Sequence, residues 1–430
     1  MNAPGRQPRT TPSFLAPDPA LPQRDLLLDE KQVTARLSSI LYRHRPIVIE
    51  HCETQRIKYR VVESLRLLYR IRIDGVDRLI TARAIAQRPH RDANRVIPPN
   101  LSASLPWSKE VHDPEISTTF RSYPHDRNIK NLELLTEPRG TQSTALGARW
   151  HSSEVVAYAP EKCATAKCVD QDGNVLAYAK MYAGKEGQRI SQTYQELVAF
   201  GLPISRTLDY QDHLQLLLLE AVSGRRIADL KDGEQFEGMA NLAETLARLH
   251  LTSVPKGLTR YTRLDPVRLQ QCATIISKAR PDVSQIVNEL ARELCSTLPV
   301  AEPFVCLHGD VHPKNGIVNE GKATLIDFDQ ASVGVPAADL CSLLALLHYN
   351  WRVGFVCQSD SQELTETFLR SYSQFRKLPA AYSLRWHTAA ALLAERALRS
   401  VNRVRPEGLL HLPQLLMDAL AMLKTGGEQL

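Results

Sequence analysis

The chain has 430 residues, of which 43% are hydrophobic and 23% are charged, and its formal net charge is +6. This length and apolar content are enough for about two or three domains with full cores, and so small a net charge does not indicate a nucleic-acid-binding protein. The eight cysteines lie far apart, which excludes a disulfide framework and a paired zinc site and predicts a reducing, cytoplasmic location.

The first segment of the chain predicts a disordered tail. Residues 1–25 are rich in proline and lack an apolar core, a composition typical of disordered segments. They show no signal peptide, and no run of the chain is long and apolar enough to cross a bilayer. We therefore expect no membrane partner.

A small α+β module is predicted over residues 26–87. The apolar spacing predicts a helix at 29–42, a strand at 47–51 and a strand or short helix at 57–65. A hairpin follows, with its turn at Asp74 and Gly75. Basic residues alternate with apolar ones on its first strand and predict a solvated face rather than a nucleic-acid site. These basic residues are Arg66, Arg70 and Arg72.

Residues 88–125 contain six prolines and predict an irregular connector. The apolar spacing of residues 129–135 then predicts a helix that packs on the next domain.

The next 70 or so residues predict a sheet with one helix. Strands are expected at 154–159, 164–169 and 175–182, and the last of these carries Lys180. The helix is expected at 187–200, and an apolar strand at 214–220 leads to a polar turn. A second amphipathic helix is expected at 241–251, in which His250 is interpreted as a packed histidine.

The most informative motif lies between residues 306 and 340. Asp310 follows His-Gly, Asn315 comes five residues later, and Asp327 comes twelve residues after that. Short apolar runs at 304–307, 316–318 and 323–326 predict strands that hold these side chains on a rigid loop. Phosphoryl transfer needs a carboxylate to orient a hydroxyl and hard oxygen ligands for Mg²⁺, and these three residues supply both.

A metal cluster is the alternative interpretation of the same motif. His308 and His312 flank Asp310, and Gly-Asp-x-His also occurs in binuclear metallophosphatases. That interpretation requires further His and Asp motifs upstream and a Gly-Asn-His downstream, which the sequence lacks. Phosphoryl transfer is therefore favoured.

The pattern His-Gly-Asp310-x-x-x-x-Asn315, followed by Ile-Asp327-Phe-Asp329, resembles the aminoglycoside phosphotransferase and choline kinase-like family, relatives of the protein kinases. Protein kinases have Arg at the position of Gly309 and Gly at the position of Asp329, and both differences favour the small-molecule branch. The resemblance implies an α+β, bilobal protein-kinase-like fold preceded by the small module. Residues 126–222 would form the β-rich nucleotide lobe, and residues 223–430 the mainly helical lobe.

The resemblance also implies roles for single residues. Asp310 would be the catalytic base, Asn315 and Asp327 would hold Mg²⁺, and Lys180 would reach the phosphates of ATP or, alternatively, GTP. Glu196, with Glu186 as its rival, would pair with Lys180. His308 and Asp339 would support the loop. The backbone of the hinge would contact adenine, through Glu220, Ala221 and Val222. Residues 160–164, which replace the glycine-rich loop of protein kinases, depart from the protein-kinase pattern.

The rest of the chain predicts helices at 338–348, 361–375, 380–400 and 409–423, which in this family form the acceptor side of the cleft. Trp386, His387, Glu395 and Arg399 either line that side or fill the core, and core packing is favoured for Trp386.

The predicted function is an ATP- and Mg²⁺-dependent phosphotransfer to a hydroxyl group of a small molecule. The alternative is a pseudokinase or scaffold that binds a protein partner through the N-terminal module. A protein-hydroxyl kinase is a third option, and the short gap between Asp329 and Asp339 argues against it. Aminoglycosides, sugars, amino alcohols and polyketide or nucleoside hydroxyls all stay open as acceptors.

Overall fold

The N-terminal module is a five-stranded antiparallel sheet with two helices on one face. The computed structural model describes residues 14–42, 47–86, 109–136 and 145–424. The sheet has the strand order β1-β2-β3-β5-β4. Its elements are α1 (Arg24–Leu28), α2 (Glu30–Tyr42), β1 (His51–Arg60), β2 (Ser64–Ile73), β3 (Val76–Ile85), β4 (Glu110–Asp113) and β5 (Thr118–Ser122).

The predicted hairpin is present as β2 and β3, and its turn has the predicted chemistry. Asp74 and Gly75 both have positive φ, of 50° and 72°, which the turns of two-residue hairpins require. Leu65, Leu67 and Tyr69 are buried on the face that carries the helices. Leu68 is buried on the opposite face, against the next sheet. Both faces of this sheet are therefore covered in part.

Three predictions for this region are corrected. The tail is not disordered from residue 14 onward, because Leu15 and Leu21 are buried and the Ala16 N–H donates to the Ala279 carbonyl at 2.8 Å. Residues 1–13 lie outside the described residues. The strand predicted at 47–51 begins only at His51 and continues to Arg60. The region predicted as an irregular connector contains β4 and β5, and its residues 88–108 lie outside the described residues.

The second sheet forms the nucleotide lobe of the predicted bilobal fold. It has the antiparallel strand order β6-β7-β8-β10-β9. Before it, the helix predicted near residues 129–135 is only a 3₁₀ turn at Leu132–Leu135, although both of these leucines are buried against the sheet. The elements are β6 (Ser152–Ala159), β7 (Cys163–Val169), β8 (Val175–Tyr182), α3 (Glu186–Ala199), β9 (Thr207–Gln211) and β10 (Leu216–Glu220).

The remaining half of the chain is mainly helical, as predicted. A π-helical segment, Leu392–Ala397, joins α9 to α10. The elements are β11 (Arg225–Arg226), α4 (Asp232–Leu249), α5 (Pro266–Ala279), α6 (Ser284–Ser296), β12 (Val305–Leu307), β13 (Gly316–Asn319), β14 (Lys322–Leu325), β15 (Ser332–Gly334), α7 (Pro336–Arg352), α8 (Gln358–Ser373), α9 (Ala381–Ala391), α10 (Leu398–Asn402), α11 (Pro406–Leu410) and α12 (Leu412–Lys424). The predicted α+β, bilobal fold class is confirmed, whereas the exact domain boundaries stay predictions.

The N-terminal module packs against both lobes. Its core is continuous with the core formed by α5, α6, α9 and α12 of the helical lobe. On the opposite face, the Arg66 guanidinium donates to the Pro160 carbonyl at 2.9 Å and pairs with Glu161 in the turn between β6 and β7. The module therefore bridges the two lobes. In the part of the chain that is described, no helix is long and apolar enough to cross a membrane.

Candidate active site

The loop that carries Asp310 is anchored by a buried carboxylate. Asp339, in the first turn of α7, is only 1% exposed, and it accepts the backbone N–H groups of His308 and Gly309 at 2.7 and 2.8 Å. The same carboxylate lies 3.2 Å from Nε2 of His250, whose Nδ1 lies 2.8 Å from the Tyr372 hydroxyl. Asp339 therefore supports the loop from beneath, and His250 is a packed histidine as expected.

Gly309 is required by the geometry of this loop. Its φ is +77°, and a Cβ atom added there would lie 2.1 Å from the Gln330 carbonyl oxygen. The Gly309 carbonyl in turn accepts a hydrogen bond from Nη1 of Arg263 at 2.9 Å. The close approach of two backbones explains why this position excludes every side chain.

We expect Gly309→Ala to destabilise the protein by about 2 kcal/mol and to reduce turnover more than tenfold, because the loop must move to relieve the contact and the φ strain. Urea unfolding and steady-state kinetics measure the two effects. Gly75→Ala is the matched control, since Gly75 has the same sign of φ but nothing within 4 Å of the added Cβ. Equal losses of stability and activity in the two variants would contradict the assignment.

Asp310 faces the cleft while its backbone is locked in place. The Asn315 side-chain amide donates to the Asp310 carbonyl at 3.0 Å. The Asp310 side chain is 28% exposed, and its oxygens lie 3.8 Å from Nη2 of Arg399 and 3.7 Å from Nε2 of His312. Burial lowers the pKa of His312, although the charge of Asp310 opposes this shift. The carboxylate is therefore open to an incoming group on one side.

Asp327 lies beside Asn315 across the β13–β14 hairpin. The Ile326 N–H donates to the Asn315 carbonyl at 3.0 Å, and the Ile326 carbonyl lies 2.9 Å from Nε2 of His308, the support predicted for that histidine. Asp327 has a φ of +65°, which Asp tolerates better than most residues. The Tyr194 hydroxyl accepts its N–H at 3.0 Å, which fixes this conformation.

Lys180 joins the two lobes at this point. Its Nζ lies 2.9 Å from Oδ1 of Asp327 and 2.8 Å from Oδ1 of Asp329, and the Tyr182 hydroxyl donates to Asp329 at 2.9 Å. Burial opposes the charge on Lys180, but the two carboxylates outweigh it and raise the lysine pKa. Burial would likewise raise the pKa of Asp327, and the ammonium of Lys180 outweighs it and lowers that pKa.

The predicted partner of Lys180 is wrong. Glu196 accepts the backbone N–H of Lys256 at 3.0 Å, and its rival Glu186 is exposed, so neither pairs with the lysine in this structure. The face of α3 that packs inward carries Ile190, Thr193, Tyr194 and Leu197. Lys180 pairs instead with Asp329, on the loop after β14.

The segment after β10, predicted as the hinge, differs in backbone pairing from one residue to the next. The Glu220 N–H donates to the Arg206 carbonyl at 2.8 Å, and the Glu220 carbonyl accepts the Ser205 hydroxyl at 2.9 Å. Within the described residues, the backbone groups of Ala221 and Val222 have no such partner. The backbone groups of Ala221 and Val222 are therefore available to a ligand, whereas those of Glu220 are already used.

A polar cavity of about 380 Å³ opens between the lobes beside Asp329. The turn between β6 and β7 borders it through Lys162, and Glu161 in that turn has a φ of +61°. The cationic lining is completed by Arg189, Arg260 and Arg263. This turn presents a lysine where a glycine-rich loop would present backbone N–H groups.

Glu395 organises the far side of the cleft. It is buried, accepts the hydroxyls of Tyr261 and Ser342 at 2.9 and 2.7 Å, and lies 3.4 Å from Nη1 of Arg263. Burial would raise its pKa, but Arg396, Arg399 and Arg263 lower it to about 2. Trp386 is a core residue, as favoured, and its indole N–H donates to the Leu294 carbonyl at 3.0 Å. His387 is also buried.

Three contacts at the site were not predicted from the sequence. Asp329 was used only to distinguish kinase branches, and Tyr194 was interpreted only as an apolar helix position. Arg263, which holds the carbonyl of Gly309, lies in a segment without a motif. Only Asp329 had a sequence signal that could have indicated a site role, because it adjoins the Asp327 motif.

The chemistry of Asn315 and Asp327 fits Mg²⁺. The Asp327 carboxylate is 45% exposed, and among described residues no donor contacts the side-chain oxygen of Asn315. Hard oxygen ligands of this kind, completed by substrate phosphates and water, are what Mg²⁺ prefers. Across the described ranges, no three His, Cys, Asp or Glu side chains form a metal site of their own.

Comparisons with known proteins bear on the same part of the chain. The model of the phosphotransferase enzyme family matches residues 181–386. An aminoglycoside phosphotransferase from Streptomyces rimosus is 18% identical, with 66% of this chain and 99% of that chain covered and a TM-score of 0.43. A choline/ethanolamine kinase family protein from Mesorhizobium loti is 13% identical, with 67% and 95% covered and a TM-score of 0.47. A search of curated proteins found no match.

Proposed function

We propose, from the membership of residues 181–386 in the phosphotransferase enzyme family, that this chain is a small-molecule kinase that moves the terminal phosphoryl group of ATP to a hydroxyl group. One observation carries the proposal. Lys180 of the sheet lobe and Asp327 of the helical lobe meet at 2.9 Å, beside the loop in which Asn315 holds Asp310. The proposal is supported because a cation, two oxygen-bearing side chains and a partly exposed carboxylate lie around one cleft.

In the proposed reaction the acceptor oxygen forms a bond to the γ-phosphorus, and the bond from that phosphorus to the bridging oxygen of ADP breaks. Asp310 orients the hydroxyl and takes its proton. Lys180 contacts the phosphates as a point charge, and the backbone of Ala221 and Val222 contacts the base. Asn315 and Asp327 would hold Mg²⁺, whose charge neutralises the phosphates. Positioning and charge neutralisation supply most of the rate, with a smaller contribution from the base.

The segment after Asp329 supports a small acceptor. β15 begins at Ser332 and α7 at Pro336, so only a few residues separate the metal-binding loop from the next helix. A protein kinase needs a longer segment here to position a peptide. Cytoplasmic location is also proposed, because all eight cysteines are free, as expected in a reducing compartment.

The function is tested by incubating the purified full chain with Mg²⁺, γ-labelled ATP or GTP, and a library of hydroxyl metabolites. Transfer of the label to a small molecule is the expected result. If Mg·ATP binds but neither transfer nor slow hydrolysis occurs, the chain is the alternative pseudokinase, which acts through a partner of its N-terminal module.

Asp327→Ala should raise the Kd for Mg·ATP at least tenfold and should not raise the Kd for ATP in EDTA, because without metal the carboxylate only pairs with Lys180 and offers the nucleotide nothing. Isothermal titration calorimetry measures both values. Asp172→Ala, in the exposed β7–β8 turn of the nucleotide lobe, is the control and should leave both values unchanged. Equal weakening with and without Mg²⁺ would show that Asp327 is not a metal ligand.

A further inference from the structure

The acceptor side of the cleft is strongly cationic, and part of its charge comes from the N-terminal module. Arg399 of α10 lies 3.8 Å from Asp310. Arg403 is the next residue along the same helical face, since its N–H donates to the Arg399 carbonyl at 2.9 Å. β1 of the module contacts α10, and the exposed Arg56 of β1 is one of the positive charges that act on Arg403.

Apart from Arg399, which lies near Asp310 and Glu395, the cations around this site are not neutralised by the protein. Arg56, Lys58, Lys162, Arg403 and Arg405 have no carboxylate within 4 Å among the described residues. Burial and the neighbouring Arg405, Arg399 and Arg56 lower the pKa of Arg403 to about 10, while Asp310 opposes that shift. A cleft lined by charges of one sign attracts ligands of the opposite sign.

The position of the module is fixed by its contacts with the nucleotide lobe. Arg66 and Arg83 both pair with Glu161 in the turn between β6 and β7. A narrow cavity beside that turn is lined by Arg56, Lys58, Arg66 and Lys162. Arg56 and Lys58, the exposed cations of β1, therefore lie beside the turn between β6 and β7, whose Lys162 also borders the cavity between the lobes.

The π-helical segment brings the cluster to Asp310. Leu392–Ala397 interrupts the regular helix between α9 and α10, and such insertions occur often at functional sites. Glu395, inside the segment, pairs with the buried Arg396 and lies 3.9 Å from Arg399. Because this carboxylate is already shared among three arginines, it cannot neutralise Arg403 or Arg56 as well.

We infer that the acceptor is a hydroxyl compound that carries an anionic group, a phosphate or a carboxylate, and that Arg399 and Arg403 of α10 bind this group together with Arg56 of the N-terminal module. The inference rests on the proposed kinase function. A bound anion would lie beside Asp310 with its hydroxyl directed at the γ-phosphate. A cationic acceptor would be repelled from the same position.

Two measurements test the inference on the full chain. The first uses matched acceptors that differ in charge: glycerol, glycerate and 3-amino-1,2-propanediol, and likewise glucose, glucose 6-phosphate and glucosamine. The anionic member of a set should have a kcat/KM at least tenfold above those of the neutral and cationic members. A higher kcat/KM for the neutral or cationic members would overturn the inference without touching the kinase assignment.

The second measurement does not depend on turnover. Inorganic phosphate is titrated calorimetrically into the protein saturated with Mg²⁺ and the ATP analogue AMP-PNP, which occupies the nucleotide phosphate site. Arg403→Gln and Arg56→Gln should each raise the Kd of phosphate about tenfold, and Arg403→Lys should recover most of the loss. Arg70→Gln is the control. Arg70 is an exposed residue of β2 outside the cluster, so its substitution should leave the Kd of phosphate unchanged.

Three outcomes contradict the inference. In the first two, phosphate binds equally to wild type and Arg403→Gln or binds to neither. In the third, the variants lose affinity for Mg·AMP-PNP and keep that for phosphate, which would assign the arginines to the nucleotide. Absence of phosphotransfer with phosphate binding intact would instead count against the proposed function alone.

Discussion

Asp310→Asn is expected to reduce kcat by about 10²- to 10⁴-fold while the Kd for Mg·ATP stays within about threefold of wild type. The substitution removes the carboxylate that accepts the hydroxyl proton and keeps the shape of the side chain. It also keeps the Asp310 carbonyl that accepts the Asn315 amide at 3.0 Å, so the loop should hold its conformation. Single-turnover kinetics and calorimetry separate the two effects.

The control for this variant is Asp74→Asn, at the exposed tip of the β2–β3 hairpin, where Asn tolerates the positive φ of the turn. It should retain full activity. If Asp310→Asn turned over at the wild-type rate, the carboxylate would have no role as a base. A large loss of Mg·ATP affinity would show instead that Asp310 acts on the nucleotide.

The sequence predicted the parts of the site that depend on local signals. Lys180 lies on the predicted strand because the 175–182 segment follows a turn with Gly173 at a φ of +83°. Asp310, Asn315 and Asp327 lie on turns between short strands close to those predicted. The model of the phosphotransferase enzyme family matches residues 181–386, which carry these motifs, in agreement with the resemblance that they indicated.

The contacts that were mispredicted depend on packing between distant segments. Helical periodicity identified the buried face of α3, but it did not say that Tyr194 of that face would reach the Asp327 loop, or that Glu196 would point away. The partner of Lys180 was therefore assigned to the wrong element. Asp329 is 149 residues from Lys180 in sequence, and no local pattern reports such a contact.

Parts of the N-terminal module were mispredicted for the same reason. β4 has four residues and β5 has five; β5 is a strand because it pairs with the open edge of β3, and β4 pairs with β5. Segments this short carry little periodicity, and their prolines predicted a connector. Arg56 likewise has no motif, and its position near α10 follows only from how the module docks on both lobes.

Asp339→Ala should lower the free energy of unfolding by about 3 to 5 kcal/mol, the range for removing one member of a buried charged network. The substitution leaves the N–H groups of His308 and Gly309 buried without acceptors and removes a partner of His250. Asp339→Asn should lower the free energy of unfolding less than Asp339→Ala does. The amide oxygen can still accept one of the two backbone N–H groups, while the amide NH₂ faces the other N–H and cannot accept it. Urea unfolding of both variants measures the difference.

The matched control is Asp360→Ala, since Asp360 also lies in the first turn of a helix but is exposed and its side chain accepts no hydrogen bond in the described structure. Asp360→Ala should lower the free energy of unfolding only by the interaction of the carboxylate with the helix dipole, about 0.3 to 1 kcal/mol. If Asp339→Ala cost no more than this control, the carboxylate would not be what holds the loop. The kcat of Asp339→Asn is then measured at a temperature where the variant is fully folded. A loss of kcat there would show that Asp339 positions Asp310, because an acid that serves only global stability would leave the folded enzyme active.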